Sequence, residues 1–184
     1  MLFTPFQHSD IRLPKHNFDS GIKMTYLGTA GFIFSSESRN IVVDPFVTRM
    51  SKFDTLFRPL LPNAEKIASL IPKADDVLIG HSHHDHILDS PELCRQTGAR
   101  FIGSPDACRV ARAAKVPDAQ ILETIGREDI PCGEHSRVRG FPSVHGRVYF
   151  NKISMPGMIS EDFQWPARLL NFRHGLVFNW SIEM

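Results

Sequence analysis

The segment Val77–Asp89, VLIGHSHHDHILD, constrains the chain more than any other stretch. An apolar run that stops at a glycine reads as a buried strand whose carboxyl end lies at Gly80. Four histidines and one aspartate follow within six residues, so the strand delivers side chains with ligand chemistry to one edge of a sheet. Side chains alternate faces in extended backbone, and His81 and His83 therefore share a face and can converge on one ion. Asp85 and His86 come where the chain turns toward a helix, and they offer an oxygen and a nitrogen to a second position nearby. His84 faces away from its two neighbours and is read as lining a pocket or meeting solvent, without binding metal. The bland alternative is a polar loop of solvated histidines, which the density of imidazoles directly behind a strand argues against. Imidazole with carboxylate, and no thiolate, suits zinc, iron, manganese or nickel better than a sulfur-rich structural site.

Composition narrows the remaining classes. A chain of 184 residues with 42% hydrophobic content can bury one ordinary globular core, which disfavours a disordered or membrane-spanning protein. The formal net charge of +1 leaves no electrostatic footprint for nucleic acid, so the expected partner is a small-molecule substrate. The N-terminal stretch MLFTPFQHSDIRLPKHNF carries charges and prolines throughout and does not read as a secretory signal. No window approaches the roughly 18 uninterrupted apolar residues needed to cross a bilayer. Cys94, Cys108 and Cys132 are odd in number and lack CxxC spacing, which speaks for reduced thiols and a cytoplasmic location. Cys94 and Cys108 fall in expected helices as small core residues.

Along the chain, residues 1–22 form a lead-in and residues 23–184 the folded domain. KMTYLG, GFIFSS and NIVVDP are three short β-prone runs in quick succession, a meander that opens a sheet. Asp44 ends the third run and is followed by Pro45. It reads as a turn residue, or as a support that holds a ligating imidazole by its free N–H. The stretch FVTRMSKFDTLFRPLLP is too irregular for one element and is expected to cross the mouth of the site. Asn63 caps a helix over AEKIASLI that Pro72 ends, Ser90 with Pro91 opens a second helix that stops at Gly98, and Ser104 with Pro105 opens a third. RFIG and ILETI are strands between and after them. This alternation argues for an α/β layer arrangement whose ligands gather at the carboxyl ends of strands, where His81 lies. HSRVRGFPSVHG is a further strand ending in His145 and Gly146. It repeats the arrangement of glycine and histidine at a strand end, which makes His145 the third ligand of the first position. His8, His16, His135 and His174 have no such context and are not read as ligands. Aromatic residues in the irregular stretch 147–174, among them Tyr149, Phe150, Phe163, Trp165 and Phe172, are a candidate substrate-covering loop, and LVFNWSIE reads as a last strand.

His81-Ser82-His83-His84-Asp85-His86 resembles the HxHxDH motif of the metallo-β-lactamase superfamily. LGTAGFIF, the aspartate of VVDPF and the later SVHG resemble its companion motifs. Within the superfamily, GTAGF, DPFVTR, GHSHHDHILDSPEL and RQTGARFIGSP look like the branch of L-ascorbate-6-phosphate lactonase-like and N-acylphosphatidylethanolamine phospholipase D-like hydrolases. The resemblance covers about residues 23–184 and implies an αββα sandwich with metal between its two sheets at one edge. It implies that His81, His83 and His145 hold one ion, zinc by preference, while Asp85 and His86 begin a second site. Asp85 would also act as the catalytic carboxylate and Asp44 would support. The implied activity is hydrolysis of a lactone, ester or phosphodiester.

One departure from the pattern shapes the expectation. Family members go on to a bridging aspartate and a final histidine, neither of which follows LVFNWSIE here, and Asp162 and His174 are poor substitutes. The domain is therefore expected to be the N-terminal part of the sandwich, with much of the second sheet missing. An exposed apolar sheet face and free edges would then invite self-association. Three outcomes stay open: a hydrolase, an inactive remnant that binds at most one ion, and a half-domain that completes its site with another chain.

Overall fold

In a computed structural model of the chain, residues 21–147 and 151–184 are described. The lead-in lies almost entirely outside them, as do His8, His16, Tyr149 and Phe150. The expected meander forms β1 (Lys23–Gly28), β2 (Gly31–Ser35) and β3 (Asn40–Val43), each antiparallel to the next. From β3 the sheet continues in parallel through β4 (Asp76–Leu78), β5 (Arg100–Gly103) and β6 (Ile121–Glu123), giving six strands in sequence order.

The crossovers carry helices that start for local reasons. In the irregular stretch that crosses after β3, Ser51 caps a short α1 (Lys52–Phe57) by accepting the Asp54 N–H. Asn63 opens α2 (Ala64–Leu70) by accepting the Lys66 N–H at 2.9 Å. Ser104 does the same for α5 (Pro105–Ala113) toward Ala107. A short α3 (His84–Ile87) runs into α4 (Ser90–Thr97), which ends at Gly98 in left-handed geometry with φ +76°. The start of α4 differs from the expected serine cap. Ser90 already lies inside the helix and its buried hydroxyl makes no protein hydrogen bond, while the preceding Asp89 turns its carboxylate to the backbone N–H groups of Val47 and Thr48 at 2.5 and 2.7 Å. A long-range tie to the 47–48 loop has taken the place of a local cap.

Alternation along the parallel strands divides the apolar residues between two cores. Val42, Val77 and Phe101 face the helices and pack with Ile67, Leu93, Cys94, Cys108 and Val110, so Cys94 and Cys108 are core residues as expected. Ile41, Leu78 and Ile102 face the other way and meet a second sheet of three antiparallel strands. These are β7 (Ile130–Pro131), β8 (Arg137–Ser143) and β9 (Val177–Glu183), which supply Ile130, Val138, Trp180 and Ile182 to the same core. Full burial of each aliphatic side chain there contributes about 1.5–3 kcal/mol. The last strand pairs with β8 along its whole length, from Arg137 opposite Glu183 to Ser143 opposite Val177, so the second sheet is built around the strand that leads to His145.

The outward face of this second sheet is polar. Arg137 pairs with Glu183 and Arg139 with Asp129, and Asn179 donates to the Ser143 hydroxyl, with Phe141 the large apolar side chain exposed among them. Deep between the sheets, Asp76 has no accessible side-chain surface and accepts from Arg39 Nε at 2.7 Å and Arg100 Nε at 2.6 Å. Arg100 also donates to the Pro131 carbonyl on β7, which ties the two sheets together. No helix among the described residues is long and apolar enough to cross a membrane.

The stretch between β8 and β9 does more core work than expected of a covering loop. Ile159, Phe163 and Phe172 are buried in the helix-side core and Trp165 packs against it. Leu60 N–H donates to the Ala167 carbonyl and anchors the stretch from outside. It approaches the site at Met155, whose carbonyl oxygen lies 3.4 Å from His83 Nε2, and at His174, whose carbonyl accepts the Ser82 N–H.

Candidate metal centre

The site forms where β4 ends. Past Leu78 the chain keeps its sheet position for one more residue, with the Ile79 N–H donating to Ile102, and then leaves at Gly80. A side chain at position 80 would not fit: a Cβ there would sit 2.7 Å from Asp44 Oδ2. The glycine lets the carboxylate of Asp44 approach, and Oδ1 accepts the Gly80 N–H at 2.6 Å. Asp44 itself has φ +43°, a left-handed geometry that aspartate tolerates better than most residues. It stands at the turn, with its carboxylate between Gly80 and His86. Its other oxygen lies 2.8 Å from His86 Nδ1, so the carboxylate holds that nitrogen as the N–H and turns Nε2 outward.

Beyond Gly80 the alternation expected of His81 and His83 is present. His81 Nε2 and His83 Nδ1 lie 3.0 Å apart and both residues are buried. His145, arriving from the end of β8, completes a triangle of rings with centroids 4.8 Å from His81 and 4.7 Å from His83. One ligand atom from each of His81, His83 and His145 falls within 4.8 Å of the others. Two nitrogens on one tetrahedral zinc are about 3.3 Å apart, from Zn–N lengths of about 2.0–2.1 Å, and the His81–His83 pair is close to that spacing.

Electrostatics favours a cation in the middle. Burial pushes the His81 imidazole down to about 2, with His86, His83, His145 and His174 opposing its protonation further. Burial also lowers His83 to about 4, against the Met155 carbonyl, which favours its protonated form. Both are neutral at pH 7 and present lone pairs, and neither has a carboxylate hydrogen-bonded to it. Three imidazoles crowded on one point, those of His81 and His83 neutral, fit a divalent ion. No other cluster of this kind occurs among the described residues.

Asp85 and His86 stand to one side. His86 packs its ring 3.8 Å from that of His81, and its Nε2 is 4.0 Å from Asp85 Oδ2. Burial disfavours protonation of His86, but the hydrogen bond and charge of Asp44, aided by Asp85, outweigh it and hold the pKa above its ordinary value. The two side chains thus bring one nitrogen and one oxygen close together beside the triangle. His84 turns away, edge-on to Phe46 at 5.8 Å and 6.5 Å from Phe172. It packs against the aromatic side of the site, and burial lowers its pKa. Asp162 is exposed and takes no part.

His174 is the residue that the sequence did not single out. Its ring lies 6.0 Å from His83 and 5.9 Å from His145, and its carbonyl accepts the Ser82 N–H at 3.0 Å. The one local cue is the dipeptide His-Gly, shared with His145-Gly146.

Fold and site together define a class: a two-sheet α/β sandwich with a knot of imidazoles at the carboxyl edge of its parallel strands. Residues 39–157 match the beta-lactamase superfamily domain, and the chain belongs to that family. Among curated relatives, a UPF0173 metal-dependent hydrolase of Heliobacterium modesticaldum is 29% identical over 125 residues, covering 68% of this chain and 46% of the relative. A UPF0173 metal-dependent hydrolase of Ignicoccus hospitalis is 37% identical over 81 residues, covering 44% of this chain and 30% of the relative. The chain thus spans about half the length of the curated relatives it matches, or less. The solved structure of Igni18, a metallo hydrolase from Ignicoccus hospitalis, superposes with a TM-score of 0.56 at 19% identity, over 88% of this chain and 55% of that one, and shares the fold.

Proposed function

We propose that this chain carries the metal-holding part of a hydrolase that acts on a small lactone, ester or phosphodiester. The observation that carries the reading is the convergence of His81, His83 and His145, two of them held neutral by burial, with their donor atoms within 4.8 Å. The relatives' description as metal-dependent hydrolases supports it. Imidazole donors without thiolate favour zinc, with manganese, iron or nickel as the other ions suited to such a set.

A divalent ion at the three imidazoles would supply Lewis acidity and lower the pKa of a bound water to about 7. The chain's own groups do the rest. Asp85 is partly accessible, lies next to His86 Nε2, and can accept a proton or hydrogen bond from the attacking water. Asp44 keeps His86 in one tautomer and one orientation, so that Nε2 faces the same position as Asp85. The leaving group takes its proton from water.

A second reading follows from the pair Asp85 and His86. Among the described residues they alone frame the second position, too few donors for tight binding without water or another chain, which favours one firmly held ion per chain and no turnover. Metal analysis combined with hydrolysis of a generic phosphodiester and a simple lactone separates the two. About two ions with turnover supports the hydrolase, and about one ion without turnover supports the second reading.

A further inference from the structure

We propose that the loop between Thr48 and Asn63 docks the chain on an anionic lipid surface through the apolar tip formed by α1. The short helix buries none of its residues. Phe53, Leu56 and Phe57 are 61, 60 and 60% exposed, and Leu61, further along the same loop, is 55% exposed. The first three are spaced i, i+3 and i+4, which sets them on one face of the turn, and the rings of Phe53 and Phe57 lie 5.0 Å apart. The polar groups of the turn engage one another instead. Ser51 donates its hydroxyl to Asp54 at 2.6 Å, Thr55 donates to the Ser51 carbonyl at 2.9 Å, and Arg58 Nε lies 3.2 Å from Asp54 Oδ1.

The backbone that carries this tip is fixed. Asn63 N–H donates to Thr48 Oγ1 at 2.7 Å, which closes the neck of the loop and gives it the form of an Ω-loop. At the outgoing side of the neck, the buried Asp89 carboxylate holds the Val47 and Thr48 N–H groups. On the returning arm, Leu60 is fully buried and its N–H donates to the Ala167 carbonyl at 2.8 Å. Leu60 thus fastens the arm to the domain while its neighbour Leu61 and the three side chains of α1 stay outside. A cluster of large apolar side chains kept out of the core on an anchored loop marks a contact surface.

Area and charge select the occupant. The four side chains expose roughly 400 Å² together, about half of the ~800 Å² that each partner of a stable protein interface contributes, so two copies meeting tip to tip would hold too weakly. Insertion at the boundary of headgroups and acyl chains needs no matching surface, and phenylalanine and leucine on one face of a short helix suit it. Between Thr48 and Pro62, Arg49, Lys52 and Arg58 stand against Asp54 alone, a net charge of +2 where the whole chain carries +1. Positive charge is therefore concentrated beside the apolar tip, the complement of an anionic lipid surface.

Co-sedimentation of the full chain with vesicles tests the docking. Binding to mixed phosphatidylcholine and phosphatidylserine vesicles should exceed binding to phosphatidylcholine alone by on the order of 10-fold. The triple variant Phe53→Ser, Leu56→Ser, Phe57→Ser removes no buried side chain, so it should unfold at the same urea concentration as the unaltered chain and bind the mixed vesicles on the order of 10–100-fold less. The Phe57→Trp variant gives an independent reading: its added fluorescence should shift to the blue on vesicles and be quenched by brominated acyl chains. No vesicle binding by the folded chain, equal binding by the triple variant, or an unquenched Phe57→Trp signal would overturn the proposal. So would a dimer, seen by light scattering, that the triple variant turns into a monomer, because a second copy would then cover the tip. Metal content and turnover play no part in these readouts, so this proposal and the proposed function stand or fall separately.

Discussion

Replacing Asp44 tests how the turn, the glycine and the second position depend on one carboxylate. Asp44→Ala removes the acceptor of the buried Gly80 N–H, and an unsatisfied buried donor costs about 1–3 kcal/mol. It also removes the hydrogen bond to His86 Nδ1, for which a charged partner gives a net of about 1.5–3 kcal/mol. The left-handed backbone at φ +43° adds about 1 kcal/mol for a residue that cannot bond locally. The effects overlap, because all act on one side chain, and a total of about 3–4 kcal/mol is expected from a domain whose stability is about 5–15 kcal/mol. Asp44→Asn keeps the backbone preference and one acceptor for Gly80, and should recover about half of that loss. Urea unfolding of metal-free protein, followed by the fluorescence of Trp165 and Trp180, gives the ranking by linear extrapolation. An Asp44→Ala variant within about 1 kcal/mol of the unaltered protein would refute the reasoning, as would an asparagine variant no better than alanine.

Two further outcomes can be measured with the same assay. Asp76→Ala leaves Arg39 and Arg100 without their shared buried carboxylate and should cost about 3 kcal/mol or more; a loss below about 1 kcal/mol would mean that the inter-sheet tie is not energetic. For pH, the folded pKa of His81 is about 2 and of His83 about 4, both below the ordinary 6.5, so the unfolded chain takes up protons first as pH falls. Stability of the metal-free protein is then complete above pH 6.5 and falls below it, by up to about 1.4 kcal/mol per pH unit for each histidine between pH 6 and 4. His86 acts oppositely: its raised pKa contributes stability below 6.5 that is lost as pH rises through the folded value, outside that window. A His83→Ala variant should show about half the slope between pH 6 and 5, and an unchanged slope would contradict the burial argument.

The parts of the site that could be read from sequence are those set by local geometry. His81 and His83 follow from strand alternation after Gly80, His145 from a strand end with glycine behind it, and Asp44 from a strand stopped by Pro45. His174 could not be read that way, because its position depends on Gly157, Asp106 and Ser82, each distant in sequence and unremarkable alone. The same holds for Asp89, which abandons a capping role to hold Val47 and Thr48. The six-stranded sheet was largely legible from its alternation of strands and helices. The second sheet was less so, since β8 and β9 pair across an intervening stretch whose aromatic residues serve the helix-side core.

The central claim is that His81, His83 and His145 hold a metal ion. Metal content and affinity, measured on the purified chain and on His83→Ala and His145→Ala variants that retain cooperative unfolding, test it most directly. At least one ion per chain is expected in the unaltered protein, with the tight site lost in both variants. Metal content unchanged by either substitution, or no bound ion in a folded chain supplied with zinc, would contradict it.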